Sequence, residues 1–472
     1  MSISGIFGMA KGYLILGVIV AGLCGVGYGI IYRKLLNGTH RIAAKKLVLG
    51  LISICYLVVL FGATFLSRGS HYREVVLTPF YSYRLAWNHQ SAAEWRNLIL
   101  NIALFVPWGV LLPMWGGRFR KIGWTLGSGF LGSVLIEGMQ YVFSCGVVEF
   151  DDVLNNTLGT LIGFGLGIVW LEIVAIVKRS KKRKCTVSAV RIAVGLLPLL
   201  LTVGAFGILQ MVYAQMPYGV MDCAANGRVA MADVEVSGKT DWNTKRQTVE
   251  IYQTQQAGRK EADELAGQLC ALRGTKLDKT RTDAYDSTVV YWSEGQNYNI
   301  WVEYQGLTYS ITDVEKVGEE TEFLTNADRV QVEEILAQAG VTLPEEAEFE
   351  ELNENGSYLF TVDMVPWGDA VLNGTVNVEI YADKTIGALW YKVYDCSAYA
   401  AEEILSEQDA YDKLVNGEFN YYAGDEPIQT LDVDGVSLIY ELDSKAYYQP
   451  VYEFSGTING EPGFVIDIPA LP

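Results

Sequence analysis

At 472 residues and 50% hydrophobic content, the chain is too long for one ordinary domain and too apolar for a uniformly soluble protein. Its net charge of −18 is unevenly divided: residues 1–211 hold 20 Lys+Arg against 7 Asp+Glu, a net +13, and residues 212–472 hold 16 against 47, a net −31. A part that acidic repels phosphates, which excludes electrostatic binding to nucleic acid or an anionic membrane surface, and a solvated surface that keeps the domain soluble accounts for it.

Six apolar runs are long enough to cross a hydrocarbon core of about 30 Å, which takes roughly 20 helical residues. They are predicted near 12–32, 47–66, 98–115, 122–144, 153–177 and 190–211. The first could be read as a lipoprotein signal with Cys24 lipidated. However, Leu23 stands where a small residue is required and the run continues to Ile31, so it reads as a retained span. Arg33, Lys34, Arg41, Lys45 and Lys46 follow the first span, Arg118, Arg120 and Lys121 the third, and the basic run Lys178 to Lys184, in the loop 178–189, the fifth. If the helices alternate, all three loops share one side, which the positive-inside rule makes the cytoplasm. The basic run also suits attraction to anionic lipid. Both termini, the loop 67–96 and everything after residue 211 are then extracytoplasmic. Four arginines in that outer loop, Arg68, Arg73, Arg84 and Arg96, ask for a reason and are candidates for a site.

An ionisable side chain inside a membrane helix costs roughly 2.5–3.5 kcal/mol on insertion scales, so each one is a functional hypothesis. The run 122–144 contains Glu137, which with Ser133, Gln140 and Ser144 forms one helical face at i, i+4, i+7 and i+11. That stripe must face protein or water. Asp151 and Asp152 follow a short external link, and Asp152 is placed to cap the fifth span at its positive dipole end. Asn156 lies one turn on, with Gly159 and Gly163 suited to close helix contact. Asn97 and Asn101 open the third span before a kink expected at Pro107. Alternation brings Asn97, Asn101, Glu137, Gln140, Asp151, Asp152 and Asn156 to one outer membrane level. The bland alternative is a helix cap plus interhelical amide bonds of about 0.6 kcal/mol each. The ligand-binding candidates are Asn101, Glu137, Gln140, Asp151, Asp152 and Asn156.

Four segments, Leu77-Thr78-Pro79-Phe80, Asn101 to Leu112 (NIALFVPWGVLL), Glu137-x-x-Gln140 and Asp152 to Gly159 (DVLNNTLG), resemble the ordered motifs of VanZ-like proteins over roughly residues 47–177. The core of this resemblance is predicted at 97–177, after two N-terminal helices within 1–66. Many members carry an arginine after the glycine between the Gln and the Asp; here Gly146 is followed by Val147. The resemblance implies a bacterial cell membrane protein, whose name-giving relatives are associated with resistance to the glycopeptide teicoplanin.

From Pro217 the pattern changes to short alternating strands and amphipathic helices. Helices are predicted near 259–273, 326–339 (Val330, Ile335, Leu336 and Ala339 on one side, Gly340 as stop) and 407–416. Strands are predicted at 358–362 and 376–381, and a final hairpin at Asn459-Gly460. Helix followed by strands recurs about three times, which predicts an extracytoplasmic α+β domain over 212–472, of antiparallel sheets with short helices, resembling PepSY repeats. Residues 405–414, 436–440 and 449–454 resemble YycI-type extracytoplasmic regulators of two-component kinases, which implies binding and regulation.

Cys24, Cys55, Cys145, Cys185, Cys223, Cys270 and Cys396 show no CxxC spacing, so neither a zinc site nor a disulfide framework is indicated; Cys223 and Cys270 are the pair a bridge could join. With His40, His71 and His89 alone, a His-rich metal site or Ser-His-Asp triad lacks parts. No cofactor or resident metal is expected. Two functions remain open. One is an envelope protein that holds a lipid-linked cell-wall precursor, a glycopeptide or another amphiphilic ligand near Glu137, with the external domain contacting an envelope protein. The other is an intramembrane enzyme acting on a cell-wall or lipid intermediate, with Glu137 as general base or metal ligand.

Overall fold

The computed structural model describes residues 3–66, 73–144, 146–177, 185–285, 287–316, 322–353, 356–421 and 427–472. The basic run 178–184, Arg68, His71 and Cys145 lie outside the described residues. The chain forms two compact units, one holding Ile3–Pro217 and the other beginning at Tyr218 and running to Pro472.

The first unit is helical: α1 (Ile3–Val26), α2 (Ala44–Phe61), α3 (Tyr81–His89), α4 (Ala92–Trp115), α5 (Ile122–Phe143), α6 (Phe150–Val177) and α7 (Cys185–Gln215). Among the described residues, five helical stretches are long and apolar enough to cross a membrane: Lys11–Leu35, Ala44–Leu66, Ala92–Trp115, Phe150–Val177 and Ala189–Gln215. Length and composition thus support five spans where six runs were read. The predicted run 122–144 does fold as α5, but its glycines, Glu137 and Gln140 dilute its hydropathy. Leu23, Leu201 and Val203, each more than 60% exposed, present apolar surface of the kind that a bilayer covers.

The expected outer loop contains regular structure. Strand β1 (Arg73–Val76) pairs in parallel with β2 (Gly146–Glu149), so the segment before α3 is joined to the link between α5 and α6. Val147 stands opposite Glu74 in that ladder. Two carbonyl approaches hold α4 and α6 together: a Cβ on Gly159 would lie 1.9 Å from the Ile102 oxygen, and one on Gly163 2.0 Å from that of Val106. Only glycine permits such contact, as their spacing predicted. Ser91 caps α4 by accepting from the Glu94 amide, and Pro107 and Pro113 lie within its span.

The second unit contains β3 (Glu235–Gly238), β4 (Thr248–Thr254), α8 (Arg259–Leu272), β5 (Leu277–Ala284), β6 (Thr288–Ser293), β7 (Tyr298–Glu303) and β8 (Tyr309–Asp313). It continues with α9 (Arg329–Gln338), β9 (Glu348–Asn353), β10 (Ser357–Trp367), β11 (Ala370–Ile380), β12 (Ile386–Glu403), α10 (Glu407–Val415), β13 (Thr430–Leu442), β14 (Tyr447–Ile458) and β15 (Glu461–Pro469). Each of the three predicted helices is thus followed by its own antiparallel strands. The sheet order is β3-β13-β14-β4-β12-β8-β7-β6-β5, with β9-β10-β11 attached through β12 and β15 on β14. Because β3 pairs with β13 in parallel, the sheet is mixed rather than purely antiparallel.

Two cores form. One gathers α8 and α9 around Val332, Leu336, Tyr358 and Phe360, and the other packs α10 against Phe454 and Ile468. Side-chain caps start the helices: Asp328 accepts from the Gln331 amide, and Ser406 and Asp409 form a reciprocal capping box. Gly340, at φ +81°, ends α9 as predicted. Val330 does not join the apolar side of that helix; it is 60% exposed, while Val332 is buried in its place. Cys223 and Cys270 are both free thiols, Cys270 buried in the first core, so no bridge joins them.

Candidate functional site

The four motif segments of the first unit meet where α2 and α5 end and where α4 and α6 begin. Their meeting point is the start of α6. Phe80, in the Leu77–Phe80 motif, takes a left-handed conformation with φ +61°, uncommon for a bulky residue. That turn aims two backbone amides at Asp151: Phe80 N donates to Oδ1 at 2.7 Å and Ser82 N to Oδ2 at 2.9 Å. Asp151, 1% exposed, therefore satisfies the otherwise orphaned first amides of α3 from a distant part of the chain. Ser82 in turn donates its hydroxyl to Glu149.

Asp152 was expected to cap α6. Instead the helix already begins at Phe150, and Asp152 lies in its first turn, accepting from the Asn101 side-chain amide of α4. The favourable position of both carboxylates at the positive helix end remains. Asn156 is bonded to α5, its Nδ2 donating to Ser133 Oγ at 2.8 Å. Ser133 is one turn before Glu137 on the same face, and both are buried, Glu137 at 4% exposure. Gln140, 1% exposed, donates its Nε2 to the Thr64 carbonyl at 3.0 Å, tying α5 to the end of the second apolar stretch. Ser144, expected to extend this stripe, lies beyond the end of α5 at φ +56°. Asn97 is exposed and takes no part.

The candidates thus fall into separate contacts: Asn101 with Asp152, Asn156 with Ser133 one turn before Glu137, Gln140 with Thr64, and Asp151 with the start of α3. Sequence reasoning missed Tyr83, whose hydroxyl donates to Asn155 Oδ1 at 2.5 Å, and Thr64, whose contribution is a backbone carbonyl. It also passed over Glu172, 5% exposed in α6 and paired at 2.8 Å with Arg191 of α7. The rule that flagged Glu137, an ionisable group inside a span, applies equally to Glu172.

The arrangement leaves buried polar atoms of both kinds without a hydrogen-bond partner among the described residues, the Asn155 Nδ2 donor being one. Gln140 Oε1 and Asn156 Oδ1 are buried without a hydrogen-bond partner among the described residues. Among the described residues no three His, Cys, Asp or Glu side chains are grouped to hold a metal ion. A carboxylate with buried amides can bind donors or move a proton.

The second unit carries its own buried acids. Asp443, 2% exposed, accepts from the Gly219 amide and from Gln449 Nε2, both at 2.6 Å, and from two further amides in its own turn. Asp467 stands opposite Glu453 on the neighbouring strand. Burial, and then the Glu441 and Glu453 carboxylates, push its carboxyl up to about 6. Burial also pushes the Cys223 thiol up, reinforced by Glu441.

Apolar helices long enough to cross a bilayer, a polar layer buried among them and a separate sheet-rich unit define a bacterial multi-span membrane protein. Residues 50–171 match the family model described as VanZ/LLP1, so this stretch carries a VanZ-like domain. The chain is 31% identical over 98 residues to Protein VanZ of Enterococcus faecium, a match covering 20% of this chain and 53% of that protein. It thus spans about half the length of that relative. The C-terminal domain of Bacillus megaterium YpeB is a further structural match, at 13% identity, covering 46% of this chain and 99% of that domain with a TM-score of 0.20.

Proposed function

We propose that this is a VanZ-like protein of the bacterial cell envelope that holds a lipid-linked or amphiphilic ligand at the outer leaflet and contributes to resistance against glycopeptides of the teicoplanin type. In this reading six helices cross the membrane, α5 included, with both termini outside, and the acidic unit contacts an envelope protein partner. The distribution of Lys and Arg supports the orientation. The observation that carries the reading is the burial of Glu137, Gln140, Asp152 and Asn156, each under 9% exposed, in helices otherwise built from apolar residues. Polar groups so placed are costly to keep for packing alone.

The second reading, an intramembrane enzyme, is favoured by the position of Glu137, a carboxylate flanked by buried amides that could serve as a general base. Glu137→Gln separates the two. An enzyme loses about 10²–10⁴-fold in turnover, and the envelope lipids change accordingly. A binding protein loses a co-purified lipid, identified by mass spectrometry, without a change in lipid composition. If teicoplanin susceptibility, co-purified lipid and envelope lipids are all unchanged, both readings are overturned. For orientation, a cysteine replacing the exposed Asp369 should react with an impermeant thiol reagent on intact cells; protection there refutes the topology.

A further inference from the structure

Helices α8 and α9 pack on one face of the second unit's sheet, against Tyr291, Ile300, Ile311 and Leu389. Strand side chains alternate, so the residues next to these point to the opposite face. The register lays Val290, Trp301, Ser310, Trp390 and Asn377 side by side there, across β6, β7, β8, β12 and β11. Trp301 is 45% exposed, and Tyr285, just past the edge strand β5, is 40% exposed. Their rings are parallel within 2° with centroids 6.2 Å apart, too far for full overlap, so each keeps part of a ring face open. An exposed indole is costly for solubility, yet this one is held in place: its Nε1 donates to Asn299 Oδ1, and Asn299 Nδ2 donates to the Tyr291 carbonyl. Trp292, by contrast, already has Arg281 over its ring at 4.7 Å. Trp390, partly exposed, lies two strands from Trp301, about 9–10 Å away.

We infer that this face binds the glycan strand of the cell wall, a β-1,4-linked chain of N-acetylated amino sugars. A sugar ring with equatorial substituents has apolar C–H faces and polar groups around its edge. The parallel Tyr285 and Trp301 rings take such a face, and Trp390, a disaccharide's length further on, takes the next ring that turns the same side toward the sheet. Ser310 and Asn377, in the same row, offer a hydroxyl and an amide to the sugar's hydroxyl and acetamido groups. Charge narrows the choice: at net −31, residues 212–472 repel phosphate-bearing polymers and nucleotides, whereas an uncharged glycan is unaffected. Parallel rings form a ledge rather than a cage, which disfavours a small cation, and Ser310 and Asn377 make the row polar where the centre of a protein interface is apolar. The wall as source rests on the extracytoplasmic placement proposed above.

The test uses the full chain in a polyoxyethylene detergent, which carries neither sugar nor cation, and isothermal titration with chitohexaose and maltohexaose. Both are neutral; the first is extended and β-linked, the second coiled and α-linked. Chitohexaose should bind at least about tenfold more tightly, since a coiled chain does not reach both indoles. Trp301→Ala and Trp390→Ala should each weaken it by about five- to tenfold, the worth of one aromatic stacking contact. Trp367→Ala, at an equally exposed position in the β10–β11 turn, should leave it unchanged. A melt of the second unit shows whether a variant is folded, and the wild-type comparison of the two sugars stands without it. Equal binding of the two sugars, binding unchanged in Trp301→Ala, or displacement by tetramethylammonium overturns the inference. Absence of sugar binding overturns it too and leaves the face to a protein partner. Chitohexaose binding together with protection of Asp369→Cys on intact cells overturns the wall as occupant, and the proposed orientation with it. Failed binding with that cysteine labelled overturns the inference alone and leaves the orientation standing.

Discussion

Replacing Gly159 by alanine adds one methyl group at the closest helix contact of the membrane unit. The new Cβ would lie 1.9 Å from the Ile102 carbonyl oxygen and 2.9 Å from its carbon, against an ordinary contact of 3.4 Å, so α4 and α6 must separate locally by about 1.5 Å. Backbone atoms on both sides leave no flexible side chain to yield. A gap of 0.5–1 Å already forfeits a quarter to a half of a dispersion contact, and overpacking of this kind costs about 1–3 kcal/mol. Asn101, adjacent to Ile102, is drawn away from Asp152, and a hydrogen bond lengthened by 1.5 Å is lost; in a membrane that adds on average about 0.6 kcal/mol. Denaturation of the full chain by titration with sodium dodecyl sulfate in mixed micelles should show the membrane transition destabilised by about 2–4 kcal/mol, the two effects together. The transition of the sheet-rich unit should be unmoved. Gly138→Ala, where a Cβ meets nothing within 4 Å, serves as the matched control and should be neutral or stabilising through helix propensity. Equal behaviour of the two variants would refute the reasoning.

Asp151→Ala leaves the first amides of α3 without their acceptor, and a loss of about 0.5–2 kcal/mol is expected, the scale of a helix cap. Hydrogen exchange should report it at Tyr81 to Arg84 first; unchanged protection there refutes the capping role. In the second unit, Asp467 has its folded carboxyl raised from 3.8 to about 6, so folding favours its protonated form. Its contribution to stability is fully present below the unfolded value and is lost as pH rises through about 6. Asp467→Asn should therefore melt above the wild type at pH 7 by a margin that shrinks as pH falls from 6 to 4. A margin independent of pH removes the Glu441–Glu453–Asp467 interaction from the account.

Much of the protein was legible along the chain because local periodicity carries the signal. Apolar runs of spanning length need no tertiary information, and five of the six fold as helices long and apolar enough to cross a membrane. Ser406 with Asp409, Gly340 after α9 and the Asn459-Gly460 turn are local devices too, and each lies where its residue type directs. The stripe Ser133–Glu137–Gln140 followed from helical spacing, since a helix fixes which residues share a face before it has neighbours.

Partners were decided only by packing. Asp152 read as a cap because its place in the chain fits one, yet its oxygen meets Asn101, 51 residues away, and Asp151 takes the amides of a turn around 70 residues away. No periodicity encodes contacts at that separation. Glu172 with Arg191 and Tyr83 with Asn155 depend likewise on how helices are laid side by side. The parallel β3–β13 and β1–β2 ladders are closed by distant strands and carry no hairpin signature. Sequence thus determined the helices, their apolar and polar faces and the acidic sheet-rich unit, because these follow from spacing and charge. Tertiary structure decided which buried polar atoms satisfy one another, because that depends on residues brought together from far apart in the chain.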